Sequence, residues 1–254
     1  MHSISIVTTV FNDKENIKFC VDSVKSQNLK KNLEHIIVDG GSKDGTIKIL
    51  KKLKKDNKHI SLYLKKKLNI YEGINLGIKK AKGNLIGLLH SDDFYKTNNT
   101  LKTILKEFKK NPLSLAVHSN VSIVRRNKIK KEVRYFKSKE LNSTDFIKGI
   151  HPPHTSLFIK KKVFKDFGMY NEKLKIASDF EFMLRVFGIN KVRSKYINKT
   201  LVVMRTGGTS TKNLLNIVKS NREVYKAYTI NKLNINIFLI LRKVAIKLFQ
   251  IKFY

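Results

Sequence analysis

Over the first 118 residues of this 254-residue chain, segments that read as buried strands alternate with segments that read as amphipathic helices. That alternation leaves few folds open. Residues 4–10 are β-branched and apolar. Ile17, Cys20, Val21 and Val24 then recur at i, i+3, i+4 and i+7, one helical stripe. A second short strand covers 35–39, a helix 46–54 and a third strand 60–64. Tyr71, Ile74, Ile78 and Ala81 stripe another helix, which Gly83 is placed to end as a C-terminal cap. Residues 85–90 form a fourth strand, and Leu101, Leu105 and Phe108 stripe the helix that runs up to Pro112. Such a rhythm requires parallel strands joined by helical crossovers, so the expected class is α/β, a mostly parallel sheet covered by helices. Two helix starts read as capping boxes, Asn12 with Glu15 and Ser178 with Glu181.

From residue 115 the rhythm changes. Short strands at 115–118, 121–124, 155–159 and 196–204 mix with short helices, a smaller α+β portion built onto one end of the sheet. The expected division is 1–118, 119–212 and a tail over 213–254 in which Glu223 is the single acid. Within that tail Arg242, Lys243, Lys247 and Gln250 share one helical face, while Phe238, Leu241, Ala245, Leu248 and Phe249 lie elsewhere. This basic amphipathic helix suits an anionic membrane interface, and it equally suits packing on the protein's own core.

Composition narrows the partners without choosing among them. Lys and Arg number 53 against 19 Asp and Glu, a net charge of +34. That excess favours nucleic acid, anionic lipid or a phosphorylated substrate, but a chain visibly rich in Lys, Asn and Ile also reaches it by compositional bias. Nucleic acid is the weaker option, since Trp is absent, aromatics are 9%, and no nucleic-acid motif appears. Hydrophobic residues at 41% support a real core. One cysteine, Cys20, excludes an intramolecular disulfide and is expected buried and inert. Residues 3–10 lack the charged start of a signal peptide, and no run approaches the roughly 20 apolar residues that span a bilayer.

In an open α/β sheet, ligands bind beyond the carboxyl ends of the strands. Three such ends are polar here: Thr8-Thr9-Val10-Phe11-Asn12-Asp13, Asp39-Gly40-Gly41-Ser42 and Ser91-Asp92-Asp93. Adjacent carboxylates at a strand end suit Mg²⁺, which takes one or two of them and fills its other positions with substrate phosphate and water. Asp-Asp is also common in solvated turns. Asp39 suits a base or ribose hydroxyl, and equally a structural turn. Gly40 and Gly41 allow close backbone approach. Neither a P-loop nor a dinucleotide fingerprint is present, which speaks against an ATPase or a dehydrogenase.

Read in order, Ser5–Asn12, Ile37–Thr46, Asn75–Gly83, Ser91-Asp92-Asp93, His154–Phe158 and Ala177–Glu181 resemble the family 2 glycosyltransferases. The resemblance spans residues 3–210. It implies a Rossmann-like GT-A fold, a nucleotide-sugar donor that is usually UDP-linked, and Mg²⁺- or Mn²⁺-assisted transfer with inversion at the anomeric carbon. By motif position, Thr9 and Asp39 contact the nucleoside, Asp92 lies near ribose and metal, and Asp93 holds the metal. Asp179 takes the place of the general base, which leaves Glu181 to the helix cap. His154 falls near the diphosphate or the acceptor. Arg205, beside a 207–210 loop like one that closes over the donor, falls near phosphate. Three positions depart from close relatives: Lys67 and Asn69 replace an acid and a glycine, and Glu72 stands for Asp, keeping a hydrogen-bonding role toward the donor. Ser91 replaces an acid at the first place of its motif.

The resulting expectation is a metal-dependent hexosyl- or N-acetylhexosaminyltransferase, peripheral on the cytoplasmic face of the membrane. It would add one sugar to a lipid-linked or surface glycan precursor, such as a lipopolysaccharide O-antigen or capsule unit. The alternatives are a nucleotidyltransferase of similar fold, a basic nucleic-acid-binding module, and an inactive relative serving as a scaffold.

Overall fold

A computed structural model describes residues 3–29, 32–207 and 214–234. The strands are β1 (Ile4–Val10), β2 (Leu33–Asp39), β3 (Ile60–Leu64), β4 (Leu85–Leu88), β5 (Phe94–Tyr95), β6 (Ala116–Arg125), β7 (Lys128–Phe136), β8 (Phe158–Lys160) and β9 (Ser194–Arg205). They form one sheet in the order β3-β2-β1-β4-β8-β6-β9-β5, with β7 paired to the outer part of β6. β1–β4, β6 and β9 run one way, and β5, β7 and β8 run the other. The helices are α1 (Ile17–Lys25), α2 (Thr46–Lys55), α3 (Ile70–Lys80), α4 (Thr100–Lys110), α5 (Ser143–Ile147), α6 (Lys162–Phe167), α7 (Ser178–Met183) and α8 (Leu214–Ile230).

The period of two along β2 shows why both faces are covered. Ile36 and Val38 point into the cluster with Tyr71, Ile74 and Ile78 of α3. Ile37 points the other way, to Ile17 and Val21 of α1 and Leu50 of α2. Register brings Val10 opposite Asp39 and Val7 opposite Leu88, so β1, β2 and β4 present their carboxyl ends at one edge. Cys20 is fully buried, as expected.

Several local expectations need correction. Asn12 does not cap α1, which starts after Asn16 without a side-chain cap. Asn12 sits in the left-handed region at φ 50°. Its Oδ1 accepts from Lys43 N–H at 2.8 Å, and its own N–H donates to Ser42 Oγ at 2.8 Å, tying the β1 end to the β2 loop. α3 ends at an extended Ala81 rather than at a left-handed glycine. Gly83 is needed for proximity instead, since a Cβ there would lie 2.7 Å from Ser5 N. The two strands expected at 115–124 are one, β6, kinked where its register with β9 shifts around Asn120. The 118/119 boundary therefore falls inside a strand. His154–Ser156 is a single 3₁₀ turn, and the strand after it is only β8.

α8 covers part of the tail, while the amphipathic face expected at 238–250 lies outside the described residues. Among the described residues, no helix is long and apolar enough to cross a membrane.

Candidate active site

The end of β2 is closed on itself. Asp39 is fully buried, and its Oδ1 accepts from the N–H groups of Gly41 and Ser42, both at 2.9 Å. Its Oδ2 accepts from Ser42 Oγ at 2.6 Å. This turn needs φ +102° at residue 41, the left-handed region in which glycine meets no Cβ penalty. Thr9, on the neighbouring strand, packs its Cγ2 against α3, where a Cβ at Gly73 would come within 2.9 Å. Glu72 caps α3: its Oε2 accepts from Asn69 N–H at 2.6 Å while Asn69 Oδ1 accepts from the N–H groups of Tyr71 and Glu72. That reciprocal capping box has the spacing Asn-x-x-Glu and was visible in the sequence.

The acid pair follows β4 in a short turn. Asp92 Oδ2 meets Arg126 Nη2 at 2.5 Å, and Asp13 lies 4.0 Å from Arg126 Nη1. Ser91 Oγ donates to Asp13 Oδ2 at 2.6 Å, so Ser91 brings a third acid, Asp13, to the same corner. Asp93 is buried. Its Oδ1 accepts from Arg205 N–H at 3.2 Å, and its Oδ2 has no hydrogen-bond partner among the described residues. Burial and the neighbouring Asp92 charge push the Asp93 carboxyl well above the usual range, against the partial relief supplied by Arg205 and Arg126. Burial raises Asp92 as well, with Arg126 opposing it. Arg205 is buried with its guanidinium against the touching rings of Phe19 and Phe94, 5.1 and 5.2 Å from the ring centres. Its Nη1 donates to the Asp92 carbonyl, so it braces the acid turn from behind.

Among the described residues, no cluster of three or more His, Cys, Asp or Glu side chains is arranged to hold a metal unaided. Two carboxylates, one with an orphaned buried oxygen, do fit a hard divalent cation whose remaining positions come from a diphosphate and water.

Asp179 stands at the start of α7, its side chain 21% exposed. Its Oδ2 is 3.0 Å from His154 Nδ1, and its Oδ1 accepts from Tyr71 Oη at 3.3 Å. Burial would raise its pKa. Hydrogen bonding and charge from His154, the charge of His151 and the Phe180 N–H outweigh that and hold the carboxyl well below the usual range. His154 Nε2 in turn lies 2.5 Å from His90 Nε2, and His90 precedes the acid turn by one residue. Asp179, His154, His90 and the Asp92-Asp93 turn are therefore contiguous. The capping box expected at Ser178 is absent, because Ser178 is already inside the helix and its Oγ is buried without a partner. Glu181 instead takes a fork from Arg185, Nε at 2.8 Å and Nη2 at 3.0 Å.

Sequence reasoning passed over His90, Arg126 and Tyr71, and placed Asp13 only within a polar strand end. Tyr71 was seen only as a core residue, and Arg126 carries no signal among so many cations. His90 was detectable as a polar residue ending an apolar strand, the same signal that singled out the acid pair.

A family model described as glycosyl transferase family 2 matches residues 5–168, and the chain belongs to that family. It is 26% identical over 187 residues to an uncharacterised glycosyltransferase of Mycobacterium tuberculosis, covering 72% of this chain and 68% of the relative. It is 27% identical over 231 residues to the chondroitin synthase of Pasteurella multocida, which takes in 90% of this chain but only 23% of the synthase. Among solved structures, S. aureus TarS 1–349 in complex with UDP-GlcNAc has a TM-score of 0.71 at 19% identity, over 90% of this chain and 65% of that one. A mannosyltransferase of Pyrobaculum calidifontis in complex with GDP-Man and Mn²⁺ has a TM-score of 0.64 at 15% identity, over 89% of this chain and 64% of the other. The fold is thus that of the GT-A glycosyltransferases, and the chain is a glycosyltransferase.

Proposed function

We propose that this protein is an inverting, metal-assisted glycosyltransferase that moves a hexosyl or N-acetylhexosaminyl group from a nucleotide sugar to a hydroxyl. The donor is UDP-linked, and the acceptor is a lipid-linked or surface glycan precursor. The observation that carries the reading is Asp179, held ionised by His154 and joined through His90 to the Asp92-Asp93 turn. Inverting transfer needs a base for the incoming hydroxyl and positive charge for the departing diphosphate, and these two needs fall at neighbouring places. Further support comes from relatives whose complexes contain UDP-GlcNAc, or GDP-Man with Mn²⁺.

Asp179 accepts the acceptor's hydroxyl proton as its oxygen attacks the anomeric carbon and the bond to the diphosphate breaks. His154 fixes the carboxylate's orientation, and His90 holds the far nitrogen of that ring. Asp93 and Asp92 would hold a Mg²⁺ or Mn²⁺ ion. That ion supplies Lewis-acid neutralisation of the leaving diphosphate. Thr9 and the Asp39 turn border the nucleoside end, where Gly40 and Gly41 lie close against the backbone of residues 65–68.

The membrane part of the reading rests on the tail's basic, acid-poor sequence and on the family's use of lipid-linked acceptors. It places the enzyme peripherally on the cytoplasmic face. Incubation with a panel of UDP- and GDP-sugars, each with Mn²⁺ or Mg²⁺, tests the reaction class. Nucleoside diphosphate is the expected product, and release of pyrophosphate contradicts the proposal in favour of nucleotidyl transfer. Asp93→Ala is expected to remove both metal dependence and transfer, and unchanged turnover contradicts the assigned metal site.

A further inference from the structure

The tail's only acid, Glu223 on α8, makes a contact that nothing in its own helix requires. Its carboxylate accepts from three consecutive backbone N–H groups: Lys175 at 3.0 and 3.1 Å, Ile176 at 2.8 Å and Ala177 at 2.9 Å. Successive amides converging on one carboxylate form a strong, charge-assisted anchor. These residues lead directly into α7, and Asp179 follows Ala177 by two positions. The same loop is held from the opposite side. Tyr71 Oη donates to the Ile176 carbonyl at 2.7 Å and also reaches Asp179 Oδ1.

α8 is packed so as to keep Glu223 in place. Val224, Ala227 and Tyr228 bury themselves against Ala177, Phe180 and Leu184. Tyr228 Oη donates to the Ile147 carbonyl at 2.8 Å, and Asn231 Nδ2 donates to Glu181 Oε1 at 3.1 Å.

We propose that Glu223 is a positioning residue for the base, so that the C-terminal helix α8 completes the catalytic geometry by clamping residues 175–177. The inference rests on the reading of Asp179 as the base. It predicts a particular kinetic split. Glu223 touches none of the residues assigned to donor or metal, so its loss should lower kcat and leave the donor KM unchanged. A displacement on the order of 1 Å in a reacting group costs about 100-fold. Partial loosening of a loop still held by Tyr71 is expected to cost about tenfold.

The test uses the full chain with whichever nucleotide sugar the wild type turns over, together with the ¹⁵N ring resonances of His154 read without donor. Glu223→Ala should lower kcat about tenfold, keep the donor KM within about twofold, and shift the His154 signals by loosening Asp179. Glu223→Gln keeps an acceptor oxygen at the same reach and should recover most of the rate. Phe108→Leu disturbs a core cluster that contains no residue of α8 and none of the site, and should leave kcat unchanged even where it lowers the melting temperature. The proposal is overturned if Glu223→Ala keeps kcat within about twofold, or if its loss appears in KM. It is equally overturned if Phe108→Leu loses rate in proportion to stability. Asp179→Asn, run alongside, separates the two claims. If that variant keeps its turnover, the assignment of the base fails, while the His154 resonances still report whether Glu223 sets the 175–177 loop.

Discussion

Asp93 is buried and Asp179 partly buried, and their surroundings drive them in opposite directions. Asp179 has a histidine, a phenol and a backbone amide around it, and stays ionised below the usual carboxylate range. Asp93 has an acid beside it and one oxygen with no partner, and is pushed upward. An ionised carboxylate can accept a proton, and a cation beside Asp93 would offset the repulsion that pushes it upward. The acids themselves were legible because strand ends and helix starts mark them. Their partners were not, because His90 and His154 lie 64 residues apart and Arg126 and Asp92 lie 34 apart. Glu72 shows the reverse case. Its motif position pointed to the donor, but the Asn69-x-x-Glu72 spacing gave its structural job. Asn69→Ala removes that cap and should cost about 1 kcal/mol, read as a lower urea midpoint at unchanged m-value.

α3 is the element that joins β1 to Asp179, and its small residues explain how. Gly73 and Gly77 let it lie against β1, and a Cβ at Gly77 would stand 2.3 Å from Val7 Cγ1. In an exposed helix, Gly→Ala stabilises by up to about 1 kcal/mol. Here Gly77→Ala should instead destabilise by about 1–3 kcal/mol through overpacking, measured by chemical denaturation. A rise in stability would show that α3 does not press on the sheet so closely. Element types were well marked by hydrophobic period: β3 and α2 fall almost where the pattern put them. The short pieces after residue 115 were harder. A bulged strand such as β6 shows two apolar runs with a polar gap at Ser119 and Asn120, which period alone reads as two strands. Cap placement failed wherever a polar residue tied two loops together, as Asn12 does, instead of its own helix.

For the molecule as a whole, the buried histidines set an acid limit on stability. Burial lowers His35 to about 3 and His118 to about 4, so each is neutral in the folded chain. Both folded values lie below the ordinary 6.5, so this stability is full above that pH and is lost as pH falls toward the folded values. Each histidine contributes a slope of about 1.4 kcal/mol per pH unit between those limits. Asp93 acts in the opposite sense, so the check is a difference: His118→Asn should flatten the stability profile between pH 6 and 4.5, and an unchanged slope would contradict it. The sheet, its helical cover and the polar strand ends were readable from the alternation of the first 118 residues. The joining of the tail to the loop before Asp179 was not, because it runs through a single glutamate and three backbone amides. The proposed role of Asp179, taking the acceptor's proton, is tested most directly by kcat of Asp179→Asn with donor affinity measured in parallel. The predicted result is a loss on the order of 10²–10⁴-fold in kcat at unchanged donor affinity; turnover within a few-fold of the wild type would contradict it.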